Sequence, residues 1–340
     1  MKKIAIITDA WHPQVNGVVT VFDHIVSGLK GQGLDVLVIH PGLFTYKMPL
    51  PLYPEITLAL FPSNHMQKLL REYKPDAIHI ATEGTLGLSA RRYCVNKGIP
   101  FTTSYHTHFQ LYLSMYISKI VVPVITAWMR WFHGAAVRTL VSTPSLKAEL
   151  EMRGFKHVEL WPLGVDIERF KKTPPQNNLP SLQKPVFTYF SRLAQEKDPQ
   201  VFFDLELPGT KLVIGDGPMR KELEEKYGDT AHFVGYQRGR ELVEWLSLSD
   251  VVVFPSKTDT FGLIVVEALA CGIPVAAYDV MGPRDIITQG VDGYLSGDLQ
   301  EAALACLKLS PEACRTKAQQ YSWGHSTEVF LQKLAFGDKV

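Results

Sequence analysis

Short β-branched and apolar runs alternate with longer amphipathic stretches along almost the whole chain. The first series is Ile4–Thr8, Asp35–Ile39, Ala77–Ile80, Pro100–Thr103 and Thr139–Ser142. The second is Val186–Ser191, Lys211–Ile214, His232–Val234, Val251–Phe254 and Pro274–Ala277. Brief apolar runs bounded by turn formers fit strands buried on both faces, and their alternation with helical segments predicts βαβ units and parallel sheets. Between the two series, Phe170–Ser181 holds Pro174, Pro175, Pro180 and the amides Gln176, Asn177 and Asn178 without periodicity, which reads as a linker. The pattern predicts an α/β protein of two Rossmann-like, doubly wound domains facing a cleft. Residues 1–170 form the first domain, 171–184 the linker and 185–320 the second domain, with residues 321–340 following it.

A chain of 340 residues is too long for one typical core, which agrees with two domains. A net charge of +1 argues against nucleic acid as a partner held by bulk electrostatics. Cys94, Cys271, Cys306 and Cys314 are scattered without a C-x-x-C pair, so neither a disulfide framework nor a zinc site is expected, and a reducing cytoplasm is. The run Ile4–Ile7 stops at Thr8–Asp9, too soon for a signal-peptide core. Ile117–Trp131 is nearly all apolar but interrupted by Lys119, Pro123 and Arg130, too short to span a bilayer. It reads as a core or lid helix, or as an interfacial membrane contact in which Tyr112, Met115, Tyr116, Trp128, Trp131 and Phe132 meet lipid.

The chemistry concentrates in Lys257–Pro274. A buried strand leads into a polar turn with Asp259, Thr260, Phe261 and Gly262, and a helix then starts near Leu263 and ends at Gly272. In an open α/β sheet such a turn lies at the carboxyl end of a strand, where ligands bind, and a helix N-terminus there favours an anion such as a diphosphate. Glu267 falls about one turn into that helix, placed to accept hydrogen bonds from sugar hydroxyls. Arg192 and Lys197 follow another strand and could neutralise a leaving diphosphate without a metal ion; a solvated loop with surface ion pairs is the alternative. Gly215-Asp216-Gly217-Pro218 allows close backbone approach to a ligand, or is a plain β-to-α turn. In the turn from Asp9 to Val18, the Asn16-Gly17-Val18 amides could hold phosphate, although no G-x-G-x-x-G or G-K-[ST] motif is present. His106 and His108 end a strand and line a cleft, sit in the core, or bind a metal that no neighbouring ligand set completes. Glu83 adds a carboxylate to the same rim.

Taken together, these segments resemble glycosyltransferase family 4, retaining enzymes of the GT-B fold. The Asp9–Val18 turn, Ser191-Arg192-Leu193 with Glu196-Lys197, Gly215–Pro218 and the Asp259–Gly272 block occur in family order across nearly the whole chain. Thr258–Gly262 and Tyr105-His106-Thr107 look most like a bacterial branch of lipid mannosyltransferases and sulfoquinovosyl- or glucosyl-diacylglycerol synthases. The resemblance implies a metal-independent hexosyltransferase without cofactor, using a nucleotide-diphosphate sugar (GDP-mannose or UDP-hexose) and a lipid or glycan acceptor; the expected location is the cytoplasm, either free or peripheral on the inner face of the cytoplasmic membrane. It implies that Arg192 and Lys197 bind the diphosphate with the amides of Phe261, Gly262 and Leu263, and that Glu267 holds the ribose. It places Asp259 on the donor sugar, Gly215, Asp216, Gly217 and Thr260 at the donor, Tyr236 near the base, Gly17 on the phosphates and His106 beside the transferred sugar. Asp9, Glu83, Trp128 and Trp131 are the expected acceptor contacts, and the helix from Trp323 to Leu334 is expected to cross back to the first domain. The paired acidic motif of the family begins with Glu where this chain has Asp259, and Asp198–Gly209 leaves little room for the usual helix. An epimerase or hydrolase of nucleotide sugars, or a silent nucleotide-sugar-binding protein, would share these features.

Overall fold

The computed structural model describes residues 1–14, 16–50, 53–106, 122–174 and 179–337. His108 and the stretch from Tyr112 to Val121 therefore lie outside the described residues. In chain order the first part comprises β1 (Lys3–Ile7), α1 (Gly17–Gly31), β2 (Asp35–Ile39), β3 (Lys47–Leu50), β4 (Tyr53–Ala59), α2 (Ser63–Tyr73), β5 (Ala77–Ile80), α3 (Thr85–Lys97), β6 (Thr102–Ser104), α4 (Val122–His133), β7 (Arg138–Val141), α5 (Pro144–Met152) and β8 (Val158–Leu160). The second part comprises β9 (Val186–Phe190), α6 (Pro199–Asp204), β10 (Thr210–Ile214), α7 (Arg220–Tyr227), β11 (Ala231–Gly235), α8 (Gly239–Ser247), β12 (Val251–Phe254), α9 (Leu263–Ala270), β13 (Val275–Ala277), α10 (Pro283–Ile286), β14 (Gly293–Leu295), α11 (Leu299–Cys306) and α12 (Pro311–Ala318), and the chain ends with α13 (Trp323–Lys333).

Contacts divide the chain into two compact units: Met1–Leu163 with the chain from Trp323 onward, and Gly164–Ser322. The boundary therefore falls before Gly164 rather than after Phe170. Val165 N–H donates to Tyr321 O at 3.3 Å, Thr173 N–H donates to Ser247 Oγ at 3.2 Å, and Phe170 is buried, so this segment belongs to the second unit. The proline cluster marked a change of composition, while the break in packing came earlier.

The first unit is a parallel sheet in the order β2-β1-β5-β6-β7-β8, the second a parallel sheet in the order β11-β10-β9-β12-β13-β14. Strand direction of travel reverses between β1 and β5 in the first, and between β9 and β12 in the second. These are the switch points where α/β sheets open a crevice at their carboxyl edge. Central strands are apolar on both faces because helices cover both: Ile4 to Ile7 and Val251 to Phe254 are buried. The antiparallel hairpin of β3 and β4 and the short strands β8 and β14 had no counterpart in the sequence pattern. Pro49, Pro51 and Pro54 break the hairpin's periodicity, and β8 and β14 are three-residue sheet edges. The expected shortage of room after Asp198 is met by a six-residue helix, α6.

Helix α13 packs within the first unit, against α1. Trp323 stacks on His24 with ring centroids 4.4 Å apart, and Trp161 Nε1–H donates to Ser326 O at 3.0 Å. A Cβ on Gly28 would stand 2.5 Å from Thr327 Oγ1, so only glycine lets the two helices approach this closely. Arg138 donates to Glu159 and to the Lys333 carbonyl, and Lys333 pairs with Glu159, which fixes the helix end to β7 and β8. Among the described residues no helix is long and apolar enough to cross a membrane.

Candidate functional site

At the switch point of the second unit, the loops after β9 and β12 are joined by polar contacts. Thr258 Oγ1 donates to Glu196 O at 3.0 Å, Lys257 Nζ lies 3.9 Å from Asp198, and Lys197 Nζ lies 2.5 Å from Asp259 Oδ1. The other Asp259 oxygen, Oδ2, is buried with no hydrogen-bond partner. Arg192 is exposed on the same loop, its carbonyl accepting from Tyr189 OH at 2.8 Å. Helix α9 begins beside them. Its N-cap is Gly262 at φ +88°, so no side chain caps its first amides. The turn at Gly282 supports this segment from below: a Cβ there would come within 2.8 Å of Phe261 O and 3.0 Å of Asp259 O. A cation and a helix start without a side-chain cap, carried on joined loops at one switch point, are the elements that can hold a phosphate group.

The glycines of Gly215-Asp216-Gly217 have a structural cause of their own. A Cβ on Gly215 would stand 1.9 Å from Ser191 O, and one on Gly217 would stand 2.3 Å from Leu193 O. Leu193 N–H donates to Asp216 O and Met219 N–H to Leu193 O, each at 3.0 Å. The turn therefore clasps the Arg192 loop, and Asp216 is engaged with its own loop through Gly217 N–H and Arg220, both at 2.8 Å. Tyr236, after β11, is 49% exposed with the Arg238 guanidinium 4.9 Å from its ring centre. Thr260 and Phe261 are buried in the turn. Burial pushes the Glu267 carboxyl up to about 7, a rise that the nearby Arg169 charge opposes. Arg169 was absent from the sequence expectations because it lies in the segment read as leading into the linker.

The first unit treats its switch point differently. Asp9, expected as an acceptor contact, points into the N-terminus of α3. Its Oδ1 accepts from Leu86 N–H at 3.0 Å and Thr85 Oγ1 at 3.3 Å, and its Oδ2 from Thr82 Oγ1 at 2.9 Å and Gly87 N–H at 3.4 Å. A Cβ on Gly84 would stand 2.4 Å from that carboxylate, so glycine is required there. The carboxylate fills the place an anionic ligand would take, and both oxygens are already engaged. One topology thus yields two switch points of different character: at one the chain's own Asp9 takes the first amides of a helix, and at the other Lys197 and a helix start without a side-chain cap lie on joined loops.

Glu83, the other expected acceptor carboxylate, is buried with Oε1 3.2 Å from His133 Nε2, while His133 Nδ1 lies 2.9 Å from Thr103 Oγ1. His133 was not singled out in the sequence; its position at the end of an apolar helix was the available signal. His106 packs against Phe22 and Trp161, with ring centroids 5.4 and 5.8 Å away, and burial lowers its imidazole to about 4. It is neutral near pH 7 and can exchange hydrogen bonds but not carry charge. Gly17 opens α1, capped by Asn16 Oδ1 accepting from Val19 N–H at 3.0 Å, and a Cβ on it would meet nothing within 4 Å. Trp128 and Trp131 lie with Val124 and Ala127 on the outer face of α4, the two indoles 39% and 49% exposed. Buried Arg91 stacks 3.7 Å from the Trp131 ring centre and donates to the Trp131 and Phe132 carbonyls at 2.8 and 2.9 Å.

Residues 15–169 match the family described as Glycosyltransferase Family 4, and residues 170–309 match Glycosyl transferases group 1. A GDP-mannose-dependent alpha-mannosyltransferase of Mycobacterium tuberculosis is 31% identical over 86% of this chain and 83% of its own. An alpha-monoglucosyldiacylglycerol synthase of Streptococcus pneumoniae is 25% identical over 98% of this chain and 84% of its own. In fold, the chain is similar to the sucrose-phosphate synthase of Thermosynechococcus elongatus, with a TM-score of 0.77 at 19% identity over 98% of both chains. The fold is that of the GT-B glycosyltransferases, two parallel-sheet Rossmann-like domains. The chain belongs to glycosyltransferase family 4 and is a glycosyltransferase that uses nucleotide sugars.

Proposed function

We propose that the protein transfers a hexose from GDP-mannose or a UDP-hexose to a membrane lipid acceptor of the diacylglycerol type. The observation that carries the donor half is the pairing of Lys197 with Asp259, on the loop that leads at the β9–β12 switch point into the start of α9, where no side chain caps the first amides. In this reading Arg192, Lys197 and the amides of Phe261, Gly262 and Leu263 take the diphosphate, Glu267 accepts from the ribose hydroxyls, and Asp259 Oδ2 accepts from a sugar hydroxyl. Tyr236 lies near the base. Contacts of Gly17 with phosphate and of His106 with the sugar rest on the family resemblance. The glycosidic C1–O bond to the diphosphate breaks while the acceptor oxygen bonds to C1 on the same face, and the acceptor's proton passes to the departing diphosphate. Two cations and a helix N-terminus stabilise the charge that develops there, so no metal is required.

The lipid half rests on α4, whose outer face presents Val124, Ala127, Trp128 and Trp131 at helical spacing. The names of the M. tuberculosis and S. pneumoniae relatives, one a mannosyltransferase and one a diacylglycerol glycolipid synthase, agree with a mannosyl or glucosyl donor and a lipid acceptor. The test incubates the full chain with each nucleotide sugar, with EDTA, with and without diacylglycerol vesicles. New glycolipid supports the proposal. Altered or free sugar formed equally without acceptor indicates an epimerase or hydrolase, and glycosylation of soluble glycans alone removes the lipid reading.

A further inference from the structure

Register brings two loops together at the carboxyl edge of the first unit. Ile7 of β1 pairs with Ile39 of β2, and Thr8 N–H donates to Ile39 O at 3.0 Å, so Trp11 and His40 leave the sheet side by side. The Trp11 indole is flanked by His12, edge-on with centroids 5.3 Å apart, and by His40, tilted at 6.1 Å. The loop that carries it is fixed from within: the Thr8 hydroxyl accepts from Ala10 N–H at 3.0 Å and donates to Ala10 O at 2.8 Å, and Gln14 N–H donates to Trp11 O at 3.1 Å. Trp11 stays partly exposed. At the neighbouring β1–β5 switch point the Asp9 carboxylate is taken up by the first amides of α3.

We propose that Trp11, His12 and His40 form a subsite for a pyranose ring, so that the acceptor is itself a glycoside. A pyranose has an apolar C–H face bordered by hydroxyls, and an indole plate edged by hydrogen-bonding groups matches both. Both histidines place a polar ring edge beside the indole. His40 Nδ1 accepts from Gly42 N–H at 3.3 Å, which leaves Nε2–H as a donor in the neutral ring. His12 Nε2 lies 2.8 Å from Asp23, which anchors the ring by that nitrogen and leaves Nδ1 as its other polar atom. Burial, with His12 and Lys47 nearby, lowers the His40 imidazole below its ordinary range and keeps it neutral. Assigning this ring to the acceptor rests on the transferase reading above; the ring-binding subsite itself does not.

Saturation-transfer NMR on the full chain, with methyl α-mannopyranoside, methyl α-glucopyranoside and ring-free glycerol, tests the subsite without turnover. Transfer to the ring protons of a glycoside, absent for glycerol, lost in Trp11→Ala and kept in Trp11→Phe, is the expected result. Equal signals for glycerol, or unchanged glycoside signals in Trp11→Ala, overturn it. Transfer assays then identify the source of the ring by comparing glycosyl-diacylglycerol vesicles, soluble oligosaccharides and bare diacylglycerol. Trp11→Ala is expected to raise the KM for the ring-bearing acceptor about tenfold while the thermal shift given by the donor stays unchanged. Bare diacylglycerol used as well as its glycoside overturns the acceptor assignment. Ring binding without transfer to any acceptor removes the transferase reading and leaves the subsite standing.

Discussion

Lys197 Nζ stands 2.5 Å from Asp259 Oδ1, and the two residues come from loops that follow different strands, β9 and β12. The pair holds the ammonium against the loop that runs from Asp259 into α9 before any ligand arrives. Preorganised charge of this kind needs no rearrangement when a diphosphate leaves. Lys197→Ala and Arg192→Ala are each expected to lower kcat by about 10²-fold or more, as loss of a group that stabilises developing charge does. Asp259→Asn should also reduce kcat, since it removes the charge that orients Lys197, whereas the thermal midpoint changes little. Steady-state kinetics on the three variants decide the matter, and full activity in both cation variants removes the leaving-group role.

Glu267 supplies a pH dependence whose sign is fixed by its direction of shift. Burial raises its folded-state value from 4.5 to about 7, so the unfolded chain releases this proton more readily than the folded one. Its contribution to stability therefore falls as pH rises from the ordinary glutamate range to about 7, and stays reduced above it. Ligand-free Glu267→Gln should melt higher than wild type at pH 8, with the gap closing at pH 4. If the ionised carboxylate receives ribose hydroxyls, donor affinity should strengthen between pH 6 and 8 in wild type and stay flat in Glu267→Gln. Calorimetric titration across that range gives the answer; parallel curves would remove Glu267 from the donor.

Asp9 is predicted to matter for stability rather than for the acceptor. Its carboxylate is the cap of α3, and removing a cap lowers stability by about 1 kcal/mol, more where the site is buried. Asp9→Ala should lower the thermal midpoint, and Gly84→Ala should do the same by pressing a methyl into that carboxylate. Donor affinity measured below the transition should be unchanged in both. Loss of activity in Asp9→Ala with an unaltered midpoint would restore the acceptor role expected for it.

What could be read from the chain follows from how local each signal is. The buried strands were legible because parallel strands covered on both faces are continuous apolar runs, and Val251–Phe254 is such a run followed at once by a polar turn and a helix. The hairpin of β3 and β4 was hidden by its prolines, and β14 by being three residues long at a sheet edge. The cluster of Arg192, Lys197 and Asp259 could be proposed from residue type, but its pairing could not, because Lys197 and Asp259 are 62 positions apart. Asp9 and Glu83 show the reverse case. A carboxylate in a rim loop looks the same in sequence whether it faces solvent or turns inward to a helix cap or a histidine.

The outer face of α4 allows a direct test of the lipid reading. Trp128→Ser with Trp131→Ser should weaken binding to diacylglycerol-containing vesicles, measured by co-sedimentation, while soluble nucleotide-sugar binding persists. Trp131 has a second task, since Arg91 stacks on its ring, so Trp128→Ser alone is the cleaner probe. Vesicle binding equal to wild type in both forms counts against a membrane-borne acceptor.

Two glycines separate packing from ligand approach. Gly215 is required by the protein itself: a Cβ there meets Ser191 O at 1.9 Å, at φ +152°, so Gly215→Ala must displace the Arg192 loop. It should lower both the thermal midpoint and kcat. Gly17 has no such reason, because a Cβ there meets nothing within 4 Å. If glycine stands at this helix start so that a phosphate can come close to the amides, Gly17→Ala keeps its midpoint but raises the donor KM. Melting curves and donor kinetics on the two variants should thus diverge in opposite columns. An unchanged donor KM in Gly17→Ala would show that this turn does not meet the donor.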